Sequence, residues 1–276
     1  MREGETYMHP SAVVMSGAEL DGGVEVGPYA VIGPKVCIGK GTWVGPHAVI
    51  EGNTTIGRYN RVFQFASVGA IPQDLKYQGE ESALIIGDRN IIREFATLNP
   101  GTRGGGMVTR VGDYNLFMVH SHVAHDCQIG NHTVVANSAT LGGHVVLEDY
   151  VIVGGLVGIH QFVRVGESAI LGGGAMVSQD VPPYCTAVGD RAHLFGLNLV
   201  GLKRRGFSAS QIAELKKAYR ILFLSNLPLA EALEQVRSSL SSSPEVSHLT
   251  TFIENSQRGI CRPRKGTLSE EEGELL

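Results

Sequence analysis

Aliphatic side chains recur at every sixth position along most of this chain, and a glycine often follows them. The first run consists of Val14, Leu20, Val26, Ile32, Ile38, Val44, Ile50, Ile56, Val62 and Val68, and it resumes in phase at Ile86, Ile92 and Leu98. The second run, shifted by one position, consists of Val111, Phe117, Val123, Ile129, Val135, Leu141, Leu147, Val153, Ile159, Val165, Leu171 and Val177. A six-residue period fits neither an isolated helix nor an alternating strand. It is typical of a parallel β-helix of hexapeptide repeats, in which three hexads form a coil of about 18 residues.

The repeats predict a mainly β domain over residues 1–189, with insertions at 69–84 and 99–109. The first insertion contains Pro72-Gln73-Asp74-Leu75-Lys76 and preserves the hexad phase. The second contains the glycine-rich segment 101–106 and shifts the phase by one residue. Because repeat proteins usually carry function on loops that leave the solenoid, both insertions are candidate functional segments.

After the repeats, the apolar residues follow the period of an α-helix. Residues 190–261 are therefore predicted to form an α-helical C-terminal domain. Ser208 followed by Gln211 indicates a capping box at the start of one helix, and two further helices are expected near Pro228 and Pro244. These helices are expected to cover the apolar cross-section of the last coil. The charged segment 262–276 is expected to be a flexible tail.

Composition narrows the function classes. The 276 residues carry a net charge of −4, which gives no bias toward nucleic acid. Only 18% of residues are charged, which favours association between coil faces. The four cysteines form no CxxC motif and suit a reducing, cytoplasmic location. Residues 1–7 lack the apolar core of a signal peptide, and no stretch is apolar and long enough for stable membrane insertion.

Histidines gather along one predicted edge of the β-helix. His125, His144 and His160 are spaced by close to one coil length, and His122 lies beside His125. Such a column could bind zinc, as in the gamma-class carbonic anhydrases, which also have hexapeptide repeats. It could also supply a general base, because a neutral imidazole with a pKa of about 6.5 accepts a proton at neutral pH. The long chain and its basic segment 203–205 favour the general base, and no metal is expected.

Several segments together resemble the UDP-N-acetylglucosamine O-acyltransferase family, whose members begin lipid A synthesis. The matching segments are Ile71–Tyr77, His122–Cys127, Gly158–Phe162, Gln179–Tyr184, Gly201–Ser208 and Arg258–Ile260. The resemblance covers about residues 9–260 and implies a left-handed β-helix that forms homotrimers with sites between subunits. It also implies transfer of a 3-hydroxyacyl chain from acyl carrier protein to the 3-position of UDP-N-acetylglucosamine. No cofactor is expected beyond the phosphopantetheine that carries the acyl donor.

The same resemblance assigns catalytic roles. It implies that His125 is the general base, that Asp126 assists it, and that a backbone N–H in the turn at Gly143 stabilises the oxyanion. Direct pairing of His125 with Asp126 does not follow from the pattern, because successive residues of a strand face opposite ways. No nucleophile motif such as G-x-S-x-G is present, so no covalent acyl-enzyme is expected.

Substrate contacts are implied for a larger set of polar residues and for one glycine. The expected substrate-binding residues are Gln73, Asp74, Lys76, His122, His144, His160, Gln161, Asn198, Arg204 and Arg205. The last three are expected to hold the uridine diphosphate, because guanidinium groups bind phosphate through two hydrogen bonds. Gly173 is expected to leave the acyl groove open for a long chain, near 14 carbons.

Two departures and several alternatives stay open. Val200 stands where better-known members carry glutamate, and Arg191 replaces a common histidine, so the nucleotide contacts are expected to differ here. The acceptor could instead be the 3-amino analogue of the sugar. An N-acyltransferase of the same pathway is disfavoured, because it normally carries an extra N-terminal domain. A metal-dependent hydratase and a non-catalytic scaffold are the remaining alternatives.

Overall fold

The computed structural model of the protein describes residues 5–240 and 243–264. Nearly every hexad forms a strand of only two residues, followed by a turn. In chain order the strands are β1 (Tyr7–Met8), β2 (Val13–Val14), β3 (Glu19–Leu20), β4 (Glu25–Val26), β5 (Val31–Ile32), β6 (Val36–Ile38), β7 (Trp43–Val44), β8 (Val49–Ile50), β9 (Asn53–Ile56), β10 (Arg61–Val62), β11 (Ser67–Val68), β12 (Ala83–Ile86), β13 (Ile91–Ile92), β14 (Thr97–Leu98), β15 (Val108–Val111), β16 (Leu116–Phe117), β17 (His122–Val123), β18 (Gln128–Ile129), β19 (Val134–Val135), β20 (Thr140–Leu141), β21 (Val146–Leu147), β22 (Ile152–Val153), β23 (Gly158–Ile159), β24 (Arg164–Val165), β25 (Ile170–Leu171), β26 (Met176–Val177), β27 (Cys185–Val188) and β28 (His193–Leu197).

Every third strand joins the same sheet, so the chain winds through three sheets in turn. The first sheet starts at β1 and has eleven strands, the second starts at β2 and has nine, and the third starts at β3 and has eight. All pairs are parallel except the last one, β27 with β28. The fold is a left-handed parallel β-helix followed by helices, which confirms the predicted fold class.

The predicted aliphatic positions fill the interior. From Val26 onward every hexad side chain of both runs is buried. In regular coils Val123 pairs with Leu141. Where the insertions occur, Ile56 pairs with Ile86, and Ile86 pairs with Val111. The insertions therefore leave the β-helix between β11 and β12 and between β14 and β15, and the stacking of the coils continues across them.

A buried polar column supports the register at the coils that carry the insertions. Asn90 donates its backbone N–H at 2.8 Å and its side-chain Nδ2 at 3.0 Å to Oδ1 of Asn60. The backbone N–H groups of Asn115 and Thr133 donate in the same way to the asparagine of the preceding coil, at 2.9 and 2.7 Å. Each buried amide thus finds partners one coil away, as buried polar groups must.

Four helices follow the repeats: α1 (Leu199–Arg204), α2 (Ala209–Leu224), α3 (Leu229–Ser239) and α4 (Pro244–Glu254). The predicted capping box is confirmed, because Ser208 and Gln211 exchange both hydrogen bonds at the start of α2. The predicted starts of α3 and α4 near Pro228 and Pro244 are confirmed as well. The short helix α1 was not predicted.

The junction between repeats and helices differs in detail from the prediction. Residues 190–198 include β28, which folds back to pair with β27, so the helices begin only at Leu199. Tyr219 of α2 packs into the core of the β-helix. Of the expected tail, Arg262 accepts a backbone hydrogen bond from Leu194, and residues 265–276 lie outside the described residues. No helix in the described ranges has the length and apolarity needed to cross a membrane.

Candidate active site

His125 and Asp126 form a directly hydrogen-bonded pair at the turn between β17 and β18. Nδ1 of His125 donates to Oδ2 of Asp126 at 2.8 Å. Strand alternation does not predict this contact. It occurs because Asp126 has a left-handed backbone, with φ of 62°, which turns its side chain to the same side as His125.

The Asp126 carboxylate is buried and held by the second insertion. Thr102 donates its backbone N–H to Oδ1 at 2.9 Å and its hydroxyl to Oδ2 at 2.6 Å. The backbone N–H of Asp126 donates to Oγ1 of Thr109 at 2.7 Å. A carboxylate that accepts on both oxygens requires the ring proton of His125 to lie on Nδ1, which leaves the lone pair on Nε2.

Gly143 lies one coil after His125, directly against its ring. A Cβ at this position would come within 2.5 Å of Cε1 of His125, so only glycine fits. Within the described residues, the N–H of Gly143 takes part in no backbone hydrogen bond. The amide is therefore free to donate to a bound group beside the imidazole.

The other histidines differ in their surroundings. His144 stacks on Phe162 at 4.3 Å and meets the ring of His125 edge-on at 5.2 Å. Burial lowers the pKa of His144, and burial also lowers the pKa of His122, whose Nδ1 lies 2.7 Å from Oγ1 of Thr97. Both imidazoles are thus held in the neutral form at neutral pH.

The expected line of histidines is formed only in part, because the ring of His144 contacts that of His125, whereas His160 lies off the line. The backbone N–H of His144 bonds to the carbonyl of His125, one residue out of register, and the residue stacked above His144 is Phe162. His160 is exposed and bonds through Nδ1 to the carbonyl of Gln161. The spacing of 19 residues keeps His144 beside His125, whereas the spacing of 16 residues leaves His160 outside the cavity that the other two line.

A cavity of about 550 Å³ opens in front of His125. It brings together five of the predicted site residues, which are Asp74, Lys76, His125, His144 and Gln161. Oδ2 of Asp74 lies 4.0 Å from Nε2 of His125. Among the described residues that line this cavity, neither Gln73 nor His160 appears, and both side chains are exposed.

The residues predicted to hold the nucleotide lie elsewhere in the chain. The amide of Asn198 caps α1, accepting from the N–H of Gly201 at 2.9 Å and donating to the carbonyl of Ser168 at 2.8 Å. Arg205 pairs with Glu167 at 2.7 Å, and its guanidinium lies 3.6 Å from the ring centre of Tyr150. Arg205 lines a second cavity, of about 460 Å³, between the β-helix and the helices.

Four further positions that the sequence singled out are at the surface. Gly173 is exposed, and a Cβ there would make only an ordinary contact, 3.5 Å from the carbonyl oxygen of Gly155. Val200 is 41% exposed on α1, and Arg191 has a left-handed backbone in the turn between β27 and β28. Arg204 is exposed at the end of α1.

His125, Asp126 and His144 are grouped as closely as the ligands of a metal site, with candidate ligand atoms within 4.8 Å of one another. The shared carboxylate oxygen, however, already accepts from Thr102 and from His125. A metal ion would have to displace one of these donors, so the donor set does not fit a resident ion. The adjacent thiol does not offer a nucleophile either, because burial raises the pKa of Cys127 to about 12.

Two contacts of this site were not predicted from the sequence. Thr102 was part of the second insertion but had no assigned role, and the stacking of Phe162 on His144 was not expected. The stacking had a signal in the sequence, since Phe162 lies one coil length after His144. The contact of Thr102 with Asp126 depends on the path of an irregular loop, so no signal in the sequence could have predicted it.

Comparisons with known proteins point to one family. The family model described as Udp N-acetylglucosamine O-acyltransferase, domain 2, matches residues 180–261, and a bacterial transferase hexapeptide model matches residues 109–143. An enzyme of Myxococcus xanthus named acyl-[acyl-carrier-protein]--UDP-N-acetylglucosamine O-acyltransferase is 58% identical over 92% of this chain and 99% of its own. An enzyme of the same name from Herminiimonas arsenicoxydans is 53% identical over 93% of this chain and 100% of its own.

Solved structures agree with the sequence relatives. The Acinetobacter baumannii protein LpxA has a TM-score of 0.90 at 44% identity, covering 92% of this chain and 99% of its own. The Francisella novicida UDP-N-acetylglucosamine acyltransferase has a TM-score of 0.92 at 38% identity, covering 98% and 99%. This chain, with its paired His125 and Asp126 beside Gly143, belongs to the UDP-N-acetylglucosamine O-acyltransferase family.

Proposed function

We propose that the protein transfers a 3-hydroxyacyl chain from acyl carrier protein to the 3-hydroxyl group of UDP-N-acetylglucosamine. Relatives that are more than half identical along nearly their whole length are named for this acyl transfer. The observation that carries the proposal is the His125 imidazole, whose Nδ1 is committed to Asp126 and whose Nε2 faces a cavity. The resemblance puts this reaction at the first step of lipid A synthesis.

The proposed chemistry is a single displacement assisted by a general base. Nε2 of His125 accepts the proton of the sugar hydroxyl while the hydroxyl oxygen attacks the thioester carbonyl carbon. The tetrahedral intermediate then collapses, the carbon–sulfur bond breaks, and the imidazolium returns the proton to the departing phosphopantetheine thiolate. Asp126 holds the imidazole in the required tautomer and stabilises its charged form, as the aspartate of a catalytic triad does.

The proposed oxyanion donor is the backbone N–H of Gly143. Its amide is free of backbone partners within the described residues, and it lies beside the ring of His125. A donor placed where negative charge develops is worth a factor of about 10²–10³ in kcat in comparable sites. Burial lowers the pKa of the nearby His144, so this ring adds no positive charge to stabilise the oxyanion at neutral pH.

Sugar recognition is assigned to the cavity in front of His125. Asp74 and Gln161 offer acceptors and donors for hydroxyl and acetamido groups, and Lys76 supplies a positive charge for a phosphate or the sugar. Hydrogen bonds from such groups orient the acceptor hydroxyl toward Nε2 of His125. The exposed Gln73, His122 beside Thr97 and the exposed His160 are assigned to the borders of the same substrate path.

A homotrimer would join the two cavities into one site. In a single chain Arg205 and His125 line separate cavities, so one substrate reaches both sets of residues only if a neighbouring chain supplies one of them. The first insertion also exposes apolar side chains near the site, with Leu75 fully exposed and Ile71 72% exposed. Burying them against a neighbouring subunit would favour association.

The expected cytoplasmic location is part of the same proposal. The four cysteine thiols, of Cys37, Cys127, Cys185 and Cys261, are all free. Free thiols are usual in a reducing compartment, which supports this part of the proposal.

The reaction is tested directly by incubating the purified protein with 3-hydroxyacyl carrier proteins of different lengths and with UDP-N-acetylglucosamine or its 3-amino analogue. Mass spectrometry of the product reads the acceptor and the chain length together. Product with the ordinary sugar supports the proposal, with 3-hydroxymyristoyl as the expected best donor. Product only with the amino sugar would correct the acceptor, and no product with either would overturn the proposed activity.

Shared sites between subunits have a separate test. Light scattering gives the oligomeric state, and mixing of His125→Ala with Arg205→Ala subunits tests whether one site uses both chains. If sites are shared, random exchange into trimers restores about a quarter of the sites. Absence of any recovery, despite confirmed subunit exchange, would contradict the shared site.

A further inference from the structure

The second insertion folds over Asp126 and encloses it. A Cβ on Gly101 would come within 2.8 Å of Oδ1 of Asp126, and a Cβ on Gly105 would collide with the carboxylate. Two glycines thus let the loop backbone approach the carboxylate more closely than any other residue allows. As a result, the side chain of Asp126 is fully buried although it lies at a turn.

Thr102 lies at the centre of this loop and contacts both carboxylate oxygens. Its own position is fixed, because its carbonyl accepts from the N–H groups of Gly105 and Met107 at 3.1 and 2.9 Å. Thr102 is only 4% exposed. The loop therefore presents two fixed donors to Asp126.

The carboxylate has an alternative partner that Thr102 excludes. Nε2 of His144 lies 3.8 Å from the same Oδ2 that accepts from His125. A modest rotation of the carboxyl group would bring Oδ2 toward His144 and weaken the bond to His125. Two donors from Thr102, one on each oxygen, oppose this rotation.

From these contacts we infer that Thr102 is a positioning residue, which keeps Asp126 directed at Nδ1 of His125 and thereby keeps the lone pair of the imidazole on Nε2. The inference rests on the proposed role of His125 as the general base. Thr102 borders the cavity in front of His125, but its backbone N–H and its hydroxyl both donate to Asp126, so it acts through that carboxylate. Its removal is therefore expected to lower kcat while the KM values for sugar and donor change little.

The test compares Thr102→Val, which keeps the shape and loses the hydroxyl, with Thr102→Ser, which keeps the hydroxyl. We expect Thr102→Val to lower kcat by about 10- to 100-fold, the range seen when partners behind metal-bound histidines are removed. Thr102→Ser should retain most of the wild-type kcat. Thr42→Val is the control, because the Thr42 hydroxyl is also buried and lies away from the site, where it donates to the carbonyl of Gly57 at 2.9 Å and accepts from the N–H of Asn60 at 3.1 Å.

A second readout does not depend on activity. Nitrogen-15 NMR of the imidazoles reports the tautomer of His125, which should be a single Nδ1–H form in the wild type and in Thr102→Ser. In Thr102→Val it should become a mixture. Equal kcat and an unchanged tautomer in Thr102→Val would overturn the inference, and so would an equal loss in Thr102→Ser. A wild-type protein without transfer activity would instead overturn the proposed function, while the NMR comparison would still decide the role of Thr102.

Discussion

Side chains stack along the edges of the β-helix, and two of these edges differ sharply although both contain histidines with left-handed backbones. One edge, here the ladder edge, consists of Tyr29, His47, Phe65, Phe95 and His120, whose neighbouring rings lie 4.9 to 5.3 Å apart. The other, here the site edge, consists of Asp126, His144 and Phe162, which also follow one another by one coil. The same repeat geometry thus produces a row of rings on one edge and a candidate active site on the other.

The difference lies in what surrounds the histidines. Within the described residues, His47 and His120 have ring neighbours but no carboxylate within ion-pair distance, and no insertion covers them. On the site edge, Asp126 replaces a ring, and both insertions fold toward it. A histidine at a corner of a β-helix is therefore ordinary, and the carboxylate with its enclosing loop makes it chemically useful.

The largest expected difference comes from removing the imidazole of His125, next to Asp126 of the site edge, or that of His120 on the ladder edge. His125→Ala should lower acyl transfer by about 10²- to 10⁴-fold, because it removes the general base. His120→Ala, on the ladder edge of the same coil, should stay within about threefold of wild type, as surface substitutions usually do. Steady-state rates with circular dichroism on both variants check this. Residual activity above a few per cent in His125→Ala would exclude it as the sole base.

Crowding the site edge should have the next largest effect. In Gly143→Ala the new Cβ would lie 2.5 Å from the His125 ring, so the imidazole must move. A displacement of about 1 Å costs on the order of 10²-fold in rate. Gly196→Ala is the control, because a Cβ there has open space around it. If Gly143→Ala kept wild-type kcat, the close packing of the glycine on the base would have no catalytic importance.

A smaller effect on the reaction is expected from a substitution at the end of the ladder edge that has no aromatic rings. Beyond His120 this edge continues with Ser138, Leu156 and Gly174, next to the exposed Gly173. Gly173→Met should fill the open surface and shift donor preference toward shorter acyl chains by about tenfold or more, the usual worth of a few methylenes in an apolar pocket. Competition between acyl carrier proteins of different lengths, read by mass spectrometry, measures the shift. An unchanged preference would mean that the acyl chain ends elsewhere.

The smallest expected effect concerns a histidine that has carboxylate partners but lies away from both edges. Nε2 of His248 on α4 lies 2.9 Å from Glu148, and that hydrogen bond raises the pKa of His248, with Glu167 adding to the effect and burial and Arg164 opposing it. The resulting stabilisation is complete below the unfolded pKa of about 6.5 and is lost as the pH rises through the raised folded pKa.

His248→Gln should therefore lower the unfolding temperature near pH 6 by about 2 °C, or roughly 0.5–1 kcal/mol in a domain of this size, and by less near pH 9. His132→Gln is the control, because His132 is stacked between Tyr114 and Tyr150 without a carboxylate partner in the described chain. Thermal melts at the two pH values decide the point. A deficit for His248→Gln that does not depend on pH would show that its charge does not stabilise the junction.

The sequence predicted those parts of the fold that depend on a strict period. Val26 and Val123 could be placed inside the coils because a buried position must repeat once per hexad, and α2 could be placed because Ser208 and Gln211 satisfy its first N–H groups. The strand β28 and the short helix α1 have no such repeat. They form because the chain must close the last coil, which is a tertiary requirement.

The candidate site was predictable in its residue types but not in its geometry. The motif around His125 pointed to a base, and the cavity brings five of the predicted residues together. The direct bond to Asp126 depends on a positive φ at a non-glycine residue, which a binary pattern does not reveal. Asn198 bonds to the carbonyl of Ser168, and Arg205 pairs with Glu167. Neither partner belongs to a motif, so these contacts could not be predicted from the sequence.

The buried asparagines have a consequence for how such a protein can change. Asn60, Asn90 and Asn115 tie together the coils from which the insertions leave, so the length of each insertion is uncoupled from the alignment of the coils. A loop can be shortened, lengthened or exchanged there while the turn that holds His125 keeps its place. The β-helix therefore acts as a fixed scaffold. Recognition of the acceptor can change through substitution of one insertion while the rest of the site is retained.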